Sequence, residues 1–159
     1  MRDIRRYAFN DVLTVKMTNG GIMQGYNCII VYNQYKNQLL FCKRTKDSYK
    51  GLYNFVGGKI EKGEDGFAAA YRELEEETGI CRAQIQLFHM MDFTYYNQDC
   101  YVEVYVGQLE KEVYLKEELH PLYWLDVNEN FFDINRFAGE GNIGHMVEQV
   151  RQFGFGKAE

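Results

Sequence analysis

No uninterrupted apolar run in this 159-residue chain approaches the ~20 residues that a membrane-spanning helix requires. The first residues also lack the apolar segment of a secretory signal. Together these absences predict no membrane partner and a cytoplasmic location. The four cysteines, at 28, 42, 81 and 100, fit neither zinc-ligand spacing nor a CxxC redox pair, and free thiols are expected, with Cys28 buried in an apolar run. Basic surplus is missing too: 18 Lys and Arg stand against 23 Asp and Glu, for a net charge of −5. A protein that tracks a nucleic-acid backbone carries the opposite balance, so a nucleic-acid polymer is not expected as a partner. Arg2, Arg5 and Arg6 form one small basic cluster, read as solvated. Repeats, low-complexity tracts and linker-like runs are absent, so residues 1–159 are read as one domain, with 1–25 less clearly part of it.

What the chain does contain is enough apolar side chain for a sizeable core: 46% of residues are hydrophobic and 16% aromatic. Most of those rings are assigned to the core, leaving a few to stack a flat ligand. Loose alternation over 11–18 predicts a half-buried strand, followed by a turn at Asn19-Gly20-Gly21. The nearly all-apolar run 26–32 predicts a strand covered on both faces, and 39–42 its hairpin return. Residues 46–54 read as an irregular loop. One helix is predicted over 65–78, closed by Gly79. A second hairpin follows at 85–96 and 101–109, then a strand at 122–127 and a helix at 144–153. Strands on both sides of an isolated helix indicate an α+β fold with a mixed β-sheet.

The stretch "GGKIEKGEDGFAAAYRELEEETGI" crowds Glu73, Glu75, Glu76 and Glu77 into five positions. At about 100° per residue, Glu73, Glu76 and Glu77 fall on one face, beside an apolar stripe of Phe67, Ala70, Tyr71 and Leu74. Like charges at these spacings cost a helix a few tenths of a kcal/mol per pair. Acids near the C-terminal end also oppose the helix dipole, at about 0.3–1 kcal/mol each. Glutamate is a good helix former, so a solvated acidic surface competes as an explanation. Two neighbours favour a cation instead. Gly57-Gly58 allows a bare backbone carbonyl to approach an ion, and Arg72 is placed to hold Glu64 or another acid in a bidentate contact. Clustered hard oxygens suit Mg²⁺ or Mn²⁺.

Gly58, Glu64 and the run Arg72-Glu73-Leu74-Glu75-Glu76-Glu77-Thr78-Gly79-Ile80 resemble, at every specified position, the Nudix box G-x5-E-x7-R-E-U-x-E-E-x-G-U, where U is aliphatic. The resemblance implies the Nudix fold, a mixed sheet sandwiched between helices. It also implies hydrolysis of a nucleoside diphosphate linked to another group, with Mg²⁺ or Mn²⁺ offsetting charge on the phosphates. By position, Glu73, Glu76 and Glu77 become metal ligands, assisted by a carbonyl of Gly57 or Gly58, with Arg72 and Glu64 orienting them. The base stays open among a box glutamate, Glu103, Glu117 and Glu118, the last two being favoured. In "NFVGG", Val56 stands where the family has proline, which is expected to loosen the loop.

Lys43-Arg44 and the sequence through "GLYNFVGGKIEKGE" look like the MutT branch, which removes pyrophosphate from nucleoside triphosphates, oxidised purines among them. Lys43 or Arg44 would then reach phosphates, unless they are simply solvated strand-end charges. The segment 137–150 resembles the base-contacting part of MutT-like enzymes, and Asn142 offers both a donor and an acceptor to a purine edge. A turn or helix-cap role for Asn142 competes with this. The expected partner is a small nucleotide, bound by a monomer or homodimer. A nucleotide-sugar or ADP-ribose pyrophosphatase is the alternative enzyme. A non-catalytic Nudix-fold regulator is the alternative of another kind, disfavoured by the intact box.

Overall fold

The computed structural model describes residues 17–18, 21–46 and 49–154. Ten elements follow one another: β1 (Met17–Thr18), β2 (Gly21–Ile22), β3 (Gln24–Tyr32), β4 (Gln38–Lys43), β5 (Tyr53–Asn54), α1 (Gly66–Thr78), β6 (Ile85–Tyr95), β7 (Cys100–Leu109), β8 (Leu122–Asp126) and α2 (Asn142–Phe153). Of the strand expected over 11–18, only Met17–Thr18 is described, paired with β2. Arg2, Arg5, Arg6 and most of the turn at 19–21 lie outside the described residues. None of the described helices is long and apolar enough to cross a membrane.

β3 is the centre of a six-stranded mixed sheet ordered β5-β4-β3-β7-β6, with β8 on the other side of β4. Its alternating side chains feed two cores. Ile30 and Tyr32 join Leu39, Phe41, Val104 and Val106 on the face covered by Ile143, Met146, Val147 and Val150 of α2. Ile29 and Val31 join Leu40, Cys42 and Tyr105 on the face covered by Ala70 and Leu74 of α1. The period of two along each strand therefore separates the layers, as expected for a doubly covered sheet. β3 and β7 run parallel over nine register positions, a pairing between elements distant in sequence.

β3 and β4 pair antiparallel, but only at Tyr32 and Leu39. Beyond that point the two strands diverge, and residues 56–60 fill the space along β3. Ile29 N–H donates to the Val56 carbonyl at 2.9 Å, Asn27 N–H to Gly58 at 2.8 Å, and Ile60 N–H to Gly25 at 2.9 Å. These bonds bear on Val56, which stands where proline was expected. That residue is fully buried and bridged to Ile29, so core packing holds the loop that proline would otherwise stiffen.

α1 begins and ends as the sequence predicts. Asp65 caps it by accepting the Ala68 N–H at 3.2 Å, and Gly79 closes it at a φ of 77°. The buried stripe differs from the expected one. Ala69, Ala70, Leu74 and Thr78 are buried, whereas Phe67 remains 37% exposed because it lies over the sheet's margin. Tyr71 reaches the outer edge of β6, where its hydroxyl accepts the Leu87 N–H at 2.9 Å and donates to the Ile85 carbonyl at 3.4 Å. One phenol thereby satisfies two groups that an edge strand would offer to another chain. All four cysteines are free; Cys28 is partly rather than fully buried, and Cys42 is buried.

Replacing Tyr71 with Phe is expected to leave the Leu87 N–H unpaired, lowering unfolding free energy by about 1–3 kcal/mol and raising concentration-dependent self-association. Urea denaturation and sedimentation velocity measure the two effects; unchanged values in both would contradict the edge role.

Candidate active site

Arg72 organises the acidic face of α1. Its Nε and one terminal nitrogen donate to the two Glu64 oxygens, each at 2.9 Å, in the fork anticipated from the sequence. The other terminal nitrogen donates to Glu73 at 2.7 Å and to Glu76 at 3.2 Å, and the Lys59 carbonyl receives a further bond at 3.0 Å. Glu64 is also tied to the Glu61 N–H at 3.0 Å. Hydrogen bonding to Arg72 holds the Glu64 carboxyl below the usual range, and bonds to Glu64 and then Glu73 push the Arg72 guanidinium up.

Glu73, Glu76 and Glu77 differ in environment. The Glu76 side chain is 51% exposed, whereas Glu73 retains only 15%. Gly58 lies against the Glu73 carboxylate so closely that a Cβ there would push that side chain aside. Glu77 projects beside the buried stripe, accepts the Gly57 N–H at 3.0 Å, and is pushed up to about 7. Burial is the main cause; the Gly57 bond and Arg44 oppose it, while Glu73 and Glu118 add repulsion. A partly buried carboxylate that resists ionisation in this way is stabilised by a nearby cation.

Asn27 was not singled out from sequence. It is 5% exposed, with Oδ1 accepting the Gly58 N–H at 3.0 Å and Nδ2 without a hydrogen-bond partner. A buried donor left this way costs about 1–3 kcal/mol. His120 was also missed. Its buried Nδ1 accepts the Thr45 N–H at 3.2 Å and lies 2.9 Å from the Thr45 hydroxyl, and it shares a small cavity with Glu77, Cys42, Leu119 and Leu122. In the sequence both resemble ordinary residues of a strand and a loop.

The remaining expected residues divide. Glu117 closes the approach to β8 by accepting the Leu122 N–H at 2.9 Å. The charge of Glu118 is felt at Glu77. Glu103 sits at the opposite end of α1, where its carboxylate packs over Gly66 and accepts the Tyr105 hydroxyl at 2.5 Å. Lys43 lies over the Tyr53 ring at 5.3 Å, and Arg44 is close enough to ease ionisation of Glu77. Asn142 is the first residue of α2 rather than its cap, which is Gly141; its amide donates to the Tyr95 hydroxyl at 2.6 Å.

The site thus places three glutamates, two glycine peptides and a guanidinium at one end of a helix. Among the described residues no group of three His, Cys, Asp or Glu side chains stands ready to hold a metal ion, since Arg72 engages both Glu73 and Glu76. The oxygen donor set, the ionisation-resistant Glu77 and the bare backbone at Gly58 nonetheless fit a hard divalent cation.

Residues 23–148 match the NUDIX domain profile. The chain belongs to the NUDIX family. An Escherichia coli 8-oxo-dGTP diphosphatase is 34% identical over 67 residues, covering 42% of this chain and 51% of the relative. A Pelagibacter ubique RNA pyrophosphohydrolase is 40% identical over 57 residues, covering 36% and 35%. The chain therefore spans about half or less of the length of these curated relatives. Among solved structures, a MutT from a study of Aliivibrio salmonicida and Vibrio cholerae superposes with a TM-score of 0.59 at 24% identity, covering 82% of this chain and 98% of that one. The Escherichia coli dihydroneopterin triphosphate pyrophosphohydrolase gives 0.62 at 19%, covering 79% and 92%. Both structures share the fold of this NUDIX domain, a mixed sheet between two helices.

The Glu77 environment has a measurable consequence in protein free of metal. The folded chain keeps a proton on Glu77 up to about pH 7, whereas a solvated glutamate loses it near 4.5. Its contribution to stability is thus fully present below about pH 4.5 and is lost as pH rises through about 7. Glu77→Gln is expected to remove this loss, worth about 3 kcal/mol by pH 8. Urea unfolding in EDTA at pH 5 and pH 8 tests it; parallel pH profiles for the two proteins would contradict the assignment.

Proposed function

We propose that this NUDIX protein is a divalent-metal-dependent pyrophosphohydrolase that cleaves nucleoside triphosphates, oxidised purine nucleotides such as 8-oxo-dGTP among them, to the monophosphate and pyrophosphate. The observation that carries the reading is the complete box with Arg72 locked to Glu64, Glu73 and Glu76. A surface of idle acids has no need of a partly buried, ionisation-resistant Glu77 or of a glycine pressed onto Glu73. The sequence similarity to an 8-oxo-dGTP diphosphatase supports the substrate class.

Glu73, Glu76 and Glu77 would hold Mg²⁺ or Mn²⁺ with a carbonyl of the Gly57–Gly58 pair. A bound divalent cation supplies neutralisation of phosphate oxygens and acidifies water. Arg72 and Glu64 keep the carboxylates oriented, so that little reorganisation is needed when phosphate arrives. Glu76, the most exposed of the three, is the box glutamate best placed to exchange a proton with water. Of the acids outside the helix, Glu118 is favoured over Glu117, whose carboxylate closes a turn, and over Glu103, which is held at the far end of α1. Arg44, whose charge acts on Glu77, and Lys43, over the Tyr53 ring, are the cations assigned to phosphate contact. Asn142, steadied by Tyr95, contributes to base recognition on the α2 side.

A panel of dGTP, 8-oxo-dGTP, ADP-ribose and 5′-triphosphorylated RNA, assayed with Mg²⁺, tests the reading. Pyrophosphate release from a triphosphate is expected, with Glu76→Gln slower by about 10²–10³-fold. Two monophosphates from ADP-ribose would move the protein to the nucleotide-sugar class. Equal rates for wild type and Glu76→Gln would overturn the catalytic assignment.

A further inference from the structure

The segment 56–60 lies along β3 as an irregular antiparallel ladder, bridged at Ile29–Val56 and Tyr26–Lys59. The same register sets Asn27 opposite Gly58. One half of that pairing is regular, with Asn27 N–H donating to the Gly58 carbonyl at 2.8 Å. In a regular ladder the Gly58 N–H would return to the Asn27 main-chain carbonyl. It goes instead to the side-chain Oδ1, at 3.0 Å. The amide side chain has taken the place of a backbone acceptor, and the peptide joining Gly57 to Gly58 is turned out of the ladder.

Two further features accompany that turn. Gly57 has a φ of 142°, and a Cβ there would meet the Asn27 carbonyl at 2.3 Å and Oδ1 at 2.8 Å. The chain has no cis peptide bond among its described residues, so the Gly57 carbonyl points opposite to the Gly58 N–H. It therefore faces away from the Asn27 side chain. The Gly58 carbonyl, by contrast, already serves the ladder. Of the two glycine carbonyls considered as oxygen donors, Asn27 withdraws one and turns the other outward.

Asn27 is also an unusual choice for its position. It is 5% exposed on the face that β3 presents to α1, where the next inward side chains are Ile29 and Val31, and its Nδ2 is unpaired. A β-branched apolar residue would suit that place without leaving a buried donor unsatisfied. The Oδ1 bond to Gly58 is what the amide provides in return.

We propose that Asn27, which lies outside the box, is a positioning residue that turns the Gly57 carbonyl into the donor set completed by Glu73 and Glu77. The inference rests on the pyrophosphohydrolase reading of that site. Without Oδ1, the Gly58 N–H falls back on the main-chain carbonyl of residue 27, the ladder becomes regular, and the Gly57 oxygen rotates away from the carboxylates.

Asn27→Val and Asn27→Asp separate this role from simple support of the fold. Mn²⁺ binding followed by electron paramagnetic resonance, without nucleotide, is the primary readout. Asn27→Val is expected to melt at or above the wild-type temperature yet bind Mn²⁺ about tenfold more weakly. Its kcat falls by a similar factor while KM for the nucleotide changes less than threefold. Asn27→Asp keeps an acceptor for Gly58 and is expected to bind Mn²⁺ within threefold of wild type or more tightly. Wild-type Mn²⁺ affinity in Asn27→Val overturns the proposal. If Asn27→Val does not fold, the Asp variant decides, and a tenfold loss there overturns it. Failure of the unmodified protein to bind Mn²⁺ at all would instead remove the functional reading on which the proposal rests.

Discussion

A single guanidinium makes the acidic end of α1 possible. Arg72 lies on the same helix as the glutamates it restrains and spends its donors on Glu64, Glu73, Glu76 and the Lys59 carbonyl. These bonds offset, within the chain, much of the repulsion that three carboxylates would otherwise exert at the negative pole of a helix. They also fix the loop before the helix to the helix itself, because Glu64 and Lys59 belong to that loop. Lysine could not replace this arrangement, since one ammonium lacks the planar fork that engages both Glu64 oxygens and still reaches a second acid.

Around that restraint the fold distributes three jobs among three short segments. β3 supplies the floor, with alternate side chains committed to opposite cores. Residues 56–60 lie along the side of β3 left open where β4 departs, which brings Gly57 and Gly58 beneath Glu77 and Glu73. α1 is then seated by Ala69, Ala70, Leu74 and Thr78, so that its glutamates reach over the loop. The site is built on two regular elements and a loop hydrogen-bonded to β3, which gives its oxygens a rigid frame.

Much of this was legible in the residues. Asp65 and Gly79 marked the ends of α1 because caps depend on local chemistry. The hairpin of β6 and β7, the doubly covered β3 and the Arg72–Glu64 fork followed from apolar runs and spacing. The parallel pairing of β3 with β7 was not legible, since contacts between distant segments leave no periodic trace. Nor was the partial burial of Glu77: the helical wheel put it beside the stripe, but charge argued for solvent. The boundary of that stripe was misplaced at Phe67 because the width of the covering sheet, not the helix, decides which rings are covered. Asn27, His120 and the edge-capping hydroxyl of Tyr71 act through partners 31, 75 and 16 residues away, beyond the reach of any local pattern.

Glu77 shares its side of α1 with the residues that seat the helix. A leucine or methionine at that position would fill the same space without the cost of a reluctant carboxylate, and would make a sturdier protein. Variants chosen only for heat tolerance should therefore drift toward apolar side chains at 77, trading away the carboxylate that the proposed function assigns to the cation. Screens for hardier versions of this chain need that position held constant.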